Sequence, residues 1–186
     1  MIEYKLSLSG TSSYIFRFRF FITRFPLVYQ PYSRMRYPDI ALYPDTRLLI
    51  EGYCRSASSF AAECFRYANG QDVKLVWNMH SAGSVVEAKK WKIPTILLIR
   101  APKDVALSTK LMNKALPFKI ILDEYIKYYR FLYRYRNHFI VATRDQVNSD
   151  FGKVIKRTNN RYGTQFKIFK HTKNNSKRVI ALMKKK

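Results

Sequence analysis

Short apolar runs recur between helix-length amphipathic stretches, and this alternation constrains the fold more than any other property of the chain. The runs are Leu48–Glu51, Val73–Trp77, Thr95–Ile99 and Phe139–Ala142. Between and after them lie Ser58–Ala68, Ser84–Trp91, Asp104–Lys114, Leu116–Tyr135 and Ser149–Tyr162. Strands joined by crossovers of that length pair in parallel, and a parallel sheet needs helices on both faces. The expected fold class is therefore α/β, a three-layer sandwich around a central parallel sheet. Ligands of such a sheet bind at the carboxyl ends of its strands. A short strand at Gln165–Phe169 is expected to close the sheet.

At 186 residues one domain is the economical reading. The pattern divides the chain into a basic, aromatic, proline-containing arm (1–46), the α/β domain (47–169) and a basic tail (170–186). In the arm, residues 1–13 read as a weakly structured lead. Pro26, Pro31, Pro38 and Pro44 predict an extended connector over 26–46 rather than a helix. Phe16, Phe18 and Phe20 alternate with Arg17 and Arg19, which fits a strand at least as well as a helix. The Lys/Asn-rich tail His171–Lys186 reads as mobile.

A formal net charge of +23 makes the surface broadly electropositive, which favours phosphates, nucleic acids, anionic lipids or acidic glycans as partners. Two cysteines, Cys54 and Cys64, are too few for a disulfide framework and fit a reduced, cytoplasmic chain. His80, His138 and His171 lie far apart, and no metal is assigned. No run reaches membrane-spanning length without charges, and no signal-peptide pattern is present. The closest run, Tyr14–Tyr29, is broken by Arg17, Arg19 and Arg24. Its interleaved rings and arginines suit peripheral contact with a membrane interface, or equally an arm whose aromatics enter the core.

The run Leu48–Glu51 leads through Gly52-Tyr53-Cys54 into Arg55-Ser56-Ala57-Ser58-Ser59-Phe60 and a helix. Strand, tight loop and helix N-terminus form a phosphate cradle, where backbone N–H groups and the helix dipole converge on an anion. It is not the nucleotide-triphosphate P-loop G-x-x-x-x-G-K-[ST]. Counting from Gly52, Ala57 and Ser58 stand at the second glycine and the lysine, so a phosphoryl-transfer enzyme is a poor fit. The alternative to a cradle is an ordinary turn with serine caps. A second block, residues 94–108, runs from the strand-like Thr95–Ile99 to Arg100, then Ala101-Pro102-Lys103-Asp104-Val105-Ala106-Leu107-Ser108.

Together the two blocks resemble the sulfotransferase family, enzymes that use 3'-phosphoadenosine-5'-phosphosulfate (PAPS). The first is similar to that family's 5'-phosphosulfate loop, and Arg100 to Ser108 to its 3'-phosphate motif, Arg-x-Pro-x-Asp-x-x-x-Ser. The resemblance implies the P-loop NTPase-like sulfotransferase fold, PAPS as cofactor, and transfer of a sulfuryl group to a hydroxyl acceptor, a carbohydrate or glycolipid. It implies cofactor contacts from Arg55, Ser56, Ala57, Ser58, Ser59, Phe60, Arg100 and Ser108. It also implies catalytic roles for Arg55, stabilising the leaving phosphate, and for His80, the general base. Glu63 is the second candidate base. Phe60 would stack on adenine or enter the core. Cys54 replaces the usual proline, Ala57 the usual glycine, and no C-terminal Arg-Lys-Gly segment is found. Residues 141–147 read as scaffold, with Arg144 where an acid is common. The other reading is a non-catalytic relative that holds nucleic acid or anionic membrane.

Overall fold

Residues 12–184 are described by the computed structural model, a four-stranded parallel sheet flanked on both faces by helices. In chain order the elements are α1 (Ser13–Ile22), α2 (Pro26–Arg36), β1 (Leu48–Gly52), α3 (Ser58–Asn69), β2 (Leu75–Trp77), α4 (Ala82–Lys90) and β3 (Thr95–Ile99). There follow α5 (Pro102–Met112), α6 (Phe118–Tyr133), a 3-10 turn (Arg136–His138), β4 (Ile140–Thr143), α7 (Arg144–Tyr162) and α8 (Lys173–Lys184). Strand order is β2-β1-β3-β4, all parallel. In register, Ile50 faces Trp77 on one side and Ile96 on the other, and Leu98 faces Ala142.

The near-continuous apolar runs follow from burial of both sheet faces. Leu49, Val76 and Leu97 point into a core shared with α1, α2, α4, α5 and α6. Their neighbours Leu48, Ile50, Ile96, Leu98 and Ala142 point the other way, onto α3, α7 and α8. Both cysteines are buried free thiols.

Three expectations give way to the structure. Residues 13–22 form a helix, not a strand, because Phe16 and Phe20 lie one turn apart and both reach the core, at 0% and 2% exposure. The Phe20 ring stacks on Tyr53 at 4.7 Å. The four prolines do not prevent a second helix. Pro26 occupies the first turn of α2, where its missing N–H is harmless. Pro31 sits inside α2, but both it and Leu27, whose carbonyl it leaves without a donor, face solvent. Gln165–Phe169 is not a strand. Two asparagines serve its backbone instead: Asn69 bridges the N–H and C=O of Lys167, and Asn159 does the same for Phe166.

The tail, too, is ordered through α8, which packs on α3 with Val179 buried. Of the weakly structured lead, Ser12 accepts the N–H of Ile15 and caps α1; residues 1–11 lie outside the described ones.

The α1–α2 hairpin is seated on the loop between β2 and α4. The Thr23 carbonyl accepts both the Gly83 N–H (2.7 Å) and the Ser81 hydroxyl (2.9 Å). A Cβ at Gly83 would fall 2.7 Å from that same oxygen. Gly83→Ala should therefore destabilise by about 1–3 kcal/mol, read as a lower urea midpoint with an unchanged slope.

Candidate anion-binding site

The sheet order creates one crevice. From β1 the chain moves outward to β2, then crosses back to β3 on the other side of β1. Loops leaving β1 and β3 thus diverge, and a ligand site opens between their carboxyl ends. Arg55 follows β1 and Arg100 follows β3, so both basic motif residues reach that crevice.

They meet there. Arg55 Nε donates to Ser108 Oγ at 2.8 Å, and Arg100 Nη1 donates to the Arg55 carbonyl at 3.0 Å. The two sequence blocks are therefore one hydrogen-bonded unit. The Asp104 carboxylate reaches Arg100 Nε only at 4.0 Å, a loose strand-end ion pair. The Arg100 pKa is lowered, first by burial and then by the cation Arg144, with Arg55 adding to it. Three arginines crowd one spot, an arrangement that a polyanion relieves.

The loop is not capped as an ordinary turn. Ala57 occupies the N-cap of α3 in left-handed backbone (φ 72°) and supplies no side-chain cap. Ser58 is no cap either, since its hydroxyl donates to Asn78 Oδ1 at 3.1 Å. The N-terminus of α3 thus has no side-chain cap. Ser56 is buried, its hydroxyl beside the Tyr129 phenol, and Ser59 is exposed on the first turn. Alanine at a φ of 72° carries roughly 1–2 kcal/mol of strain that glycine would not.

His80 lies beneath the loop. Its Nδ1 is 2.9 Å from the Gly52 carbonyl oxygen. A carbonyl can only accept, so Nδ1 carries the proton and Nε2 is left as the acceptor. Beside it Glu51 is fully buried; Oε1 accepts the Gly52 N–H at 2.9 Å and Oε2 has no hydrogen-bond partner. Burial pushes the Glu51 carboxyl up to about 8, against the opposing pull of the Gly52, Ser81 and His80 backbone N–H groups and then of Arg19. Burial, then Arg19, pushes His80 down to about 4. Both groups are thereby neutral forms set under arginines. The other candidate base, Glu63, faces away: it pairs with Arg66 at 3.5 Å, whose guanidinium lies over the Trp77 ring.

Phe60 packs against the edge of the core on the α3 face of the sheet. It is half-buried on the wall of a basic cleft of about 680 Å³ that also takes in Ala57, Arg144, His171, Lys173 and Lys177. Its ring centroid is 6.2 Å from that of His171. Arg144, read as scaffold from the sequence, and the lysines of α8 were missed as site residues. So was Arg19, which turns inward from α1 toward Glu51, His80 and Cys54. So were the α6 tyrosines that brace the strand ends, Tyr125 on the Arg100 carbonyl (2.8 Å) and Tyr129 on that of Leu98 (2.6 Å).

No family model and no curated protein matches the chain. Among solved structures, a mouse sulfotransferase complexed with PAP aligns over 82% of this chain and 68% of its own, with 14% identity and a TM-score of 0.45. That likeness concerns the course of the backbone and assigns no residue a role.

The buried Glu51–His80 pair sets a pH dependence whose sign can be worked out. Glu51, at about 8 against an ordinary 4.5, holds a proton the unfolded chain lacks, so its contribution falls as pH rises through that window. His80, at about 4 against 6.5, lacks a proton the unfolded chain holds, so its contribution falls as pH drops from 6.5 to 4. The two slopes oppose each other between 4.5 and 6.5, and Glu51 acts alone from 6.5 to 8. Thermal melts of Glu51→Gln should lack the wild-type loss over that upper window, a difference on the order of 2 kcal/mol. Parallel wild-type and variant curves would contradict it.

Proposed function

We propose that the chain binds PAPS across the β1–α3 and β3–α5 loops and transfers its sulfuryl group to a hydroxyl, carried by a carbohydrate or glycolipid. The observation behind this reading is the Arg55–Ser108–Arg100 unit at the mouth of an uncapped helix. The donor set fits a doubly phosphorylated nucleotide. One anionic group meets Arg55, Ser58, Ser59 and the first amides of α3, while the second meets Arg100 and Ser108. Phe60 and His171 offer aromatic faces to the base, and Arg144, Lys173 and Lys177 add positive charge around it.

Sulfuryl transfer has a loose transition state, so positioning and charge stabilisation supply most of the acceleration. The bond between sulfur and the bridging phosphate oxygen breaks as the acceptor oxygen bonds to sulfur. Negative charge then grows on the leaving phosphate, where Arg55 meets it. The acceptor proton passes to Nε2 of His80, the ring nitrogen that the Gly52 carbonyl leaves unprotonated. Burial, then Arg19 and Arg55, hold the His80 pKa down; a bound polyanion offsets the two cations and makes the imidazole a better base.

Calorimetric titration with 3'-phosphoadenosine-5'-phosphate, the desulfated product, tests the reading. Wild type should bind, and Arg100→Ala should weaken binding roughly tenfold to a hundredfold, as expected for a lost charge-assisted hydrogen bond. A well-folded wild type that does not bind would overturn the proposal. Strongly salt-dependent binding of nucleic acid in its place would favour a non-catalytic polyanion binder.

A further inference from the structure

The α1–α2 hairpin is apolar on both sides, and only one side meets the protein. Phe16 and Phe20 of α1, with Tyr29 of α2, face the core. Tyr14, Phe18 and Phe21, at i, i+4 and i+7, form a stripe on the opposite face of α1, at 87%, 64% and 52% exposure. The stripe continues round the turn: Phe25 packs edge-on against Phe21 at 5.1 Å. On α2, Leu27 and Met35 stand 92% and 78% exposed. Among the described residues, nine of the eighteen large exposed apolar side chains fall on this hairpin.

The charges beside the stripe are of one sign. α1, α2 and the turn between them carry no acid, and with Arg19 turned inward their remaining arginines are Arg17, Arg24, Arg34 and Arg36. Two acids of α6 face the hairpin, and both are already matched. Asp123 lies 3.5 Å from Arg17, and Glu124 is shared between Arg24 (3.3 Å) and Lys127 (2.8 Å). Between them runs a shallow groove of about 260 Å³, with Phe18 and Phe21 alongside Arg17, Arg24 and Lys127.

We infer that this face of the α1–α2 hairpin docks on an anionic lipid bilayer, with its rings and aliphatic tips at headgroup depth and its arginines among the lipid phosphates. No helix among the described residues is long and apolar enough to cross a membrane, so the hairpin lies along the interface. A second copy of the chain fits less well, because pairing two such faces brings like charges together on molecules of net charge +23. An anionic bilayer answers both the apolar stripe and its basic rim. The surface is also rigid: the turn is tied to the β2–α4 loop through Thr23, and Gln30 donates to Ser84 at 3.2 Å. The inference is independent of sulfuryl transfer.

Co-sedimentation of the full chain tests it, using phosphatidylcholine vesicles with and without phosphatidylserine. The protein should pellet with the anionic vesicles only, and less as salt rises. The double variant Phe18→Ser with Leu27→Ser removes two exposed side chains, so its melting temperature should hold. Its partitioning should fall at least about tenfold. The indole introduced by Phe18→Trp should shift its emission to the blue on anionic vesicles. Saturating 3'-phosphoadenosine-5'-phosphate should leave pelleting unchanged, which separates this surface from the crevice. Wild type that stays in the supernatant overturns the inference. So does a double variant that pellets as well as wild type, since basic charge alone would then suffice. A concentration-dependent dimer abolished in the double variant would also overturn it, in favour of a second copy.

Discussion

Two neighbouring loops hold their shape against the preference of their own residues, and the crevice depends on it. Arg55 and Ala57 after β1, and Asn78 and His80 after β2, all sit at positive φ, between 51° and 72°. Asparagine, and to a lesser degree histidine, visits that region more readily than arginine or alanine, which cost roughly 1–2 kcal/mol each. Hydrogen bonds hold the strain in place. Arg100 grips the Arg55 carbonyl, Ser58 donates to Asn78, and His80 is fixed to Gly52. The residues that would touch an anion are thus the residues that keep the loops cocked.

Beneath the loops, burial and positive charge work together. A carboxyl and an imidazole lie side by side in uncharged forms, with arginines above and beside them. Cations repel a protonated imidazole and attract a carboxylate, yet burial keeps even the carboxyl protonated at neutral pH. The pocket floor is therefore electrically quiet, and the unbalanced charge is concentrated at Arg55, Arg100 and Arg144. An incoming polyanion meets positive charge that the loose Asp104 pair on Arg100 offsets only in part.

The sheet was legible in the sequence because β1, β2 and β3 are largely buried on both faces, leaving unbroken apolar runs between helix-length stretches, while the edge strand β4 is half-exposed. The nearness of Arg55, Arg100 and Ser108 was legible for a related reason, since parallel strands place their carboxyl-end loops together. Helix α1 was not legible. It is apolar on both faces, so its rings and arginines alternate as in a strand. Helix α2 was hidden by prolines that happen to occupy harmless positions. The false strand at Gln165–Phe169 has strand composition, but Asn69 and Asn159 serve its backbone in place of a ladder. Arg19 and Arg144 were overlooked because nothing in an arginine's local sequence says whether it turns inward. That is decided by packing between elements far apart in the chain.

The pairing of β1 with β3 joins Gly52 to Leu98 across a long stretch of chain that includes β2 and α4. The two halves of the crevice are therefore never neighbours in a partly unfolded chain. Opening either strand dismantles the site, and no fragment keeps a weakened version of it. A ligand held there binds only the fully assembled sheet, so mass action spreads its stabilisation over the whole domain rather than one loop. Amide exchange deep in β1 and β3 would slow on binding as much as exchange at the loops that touch the ligand.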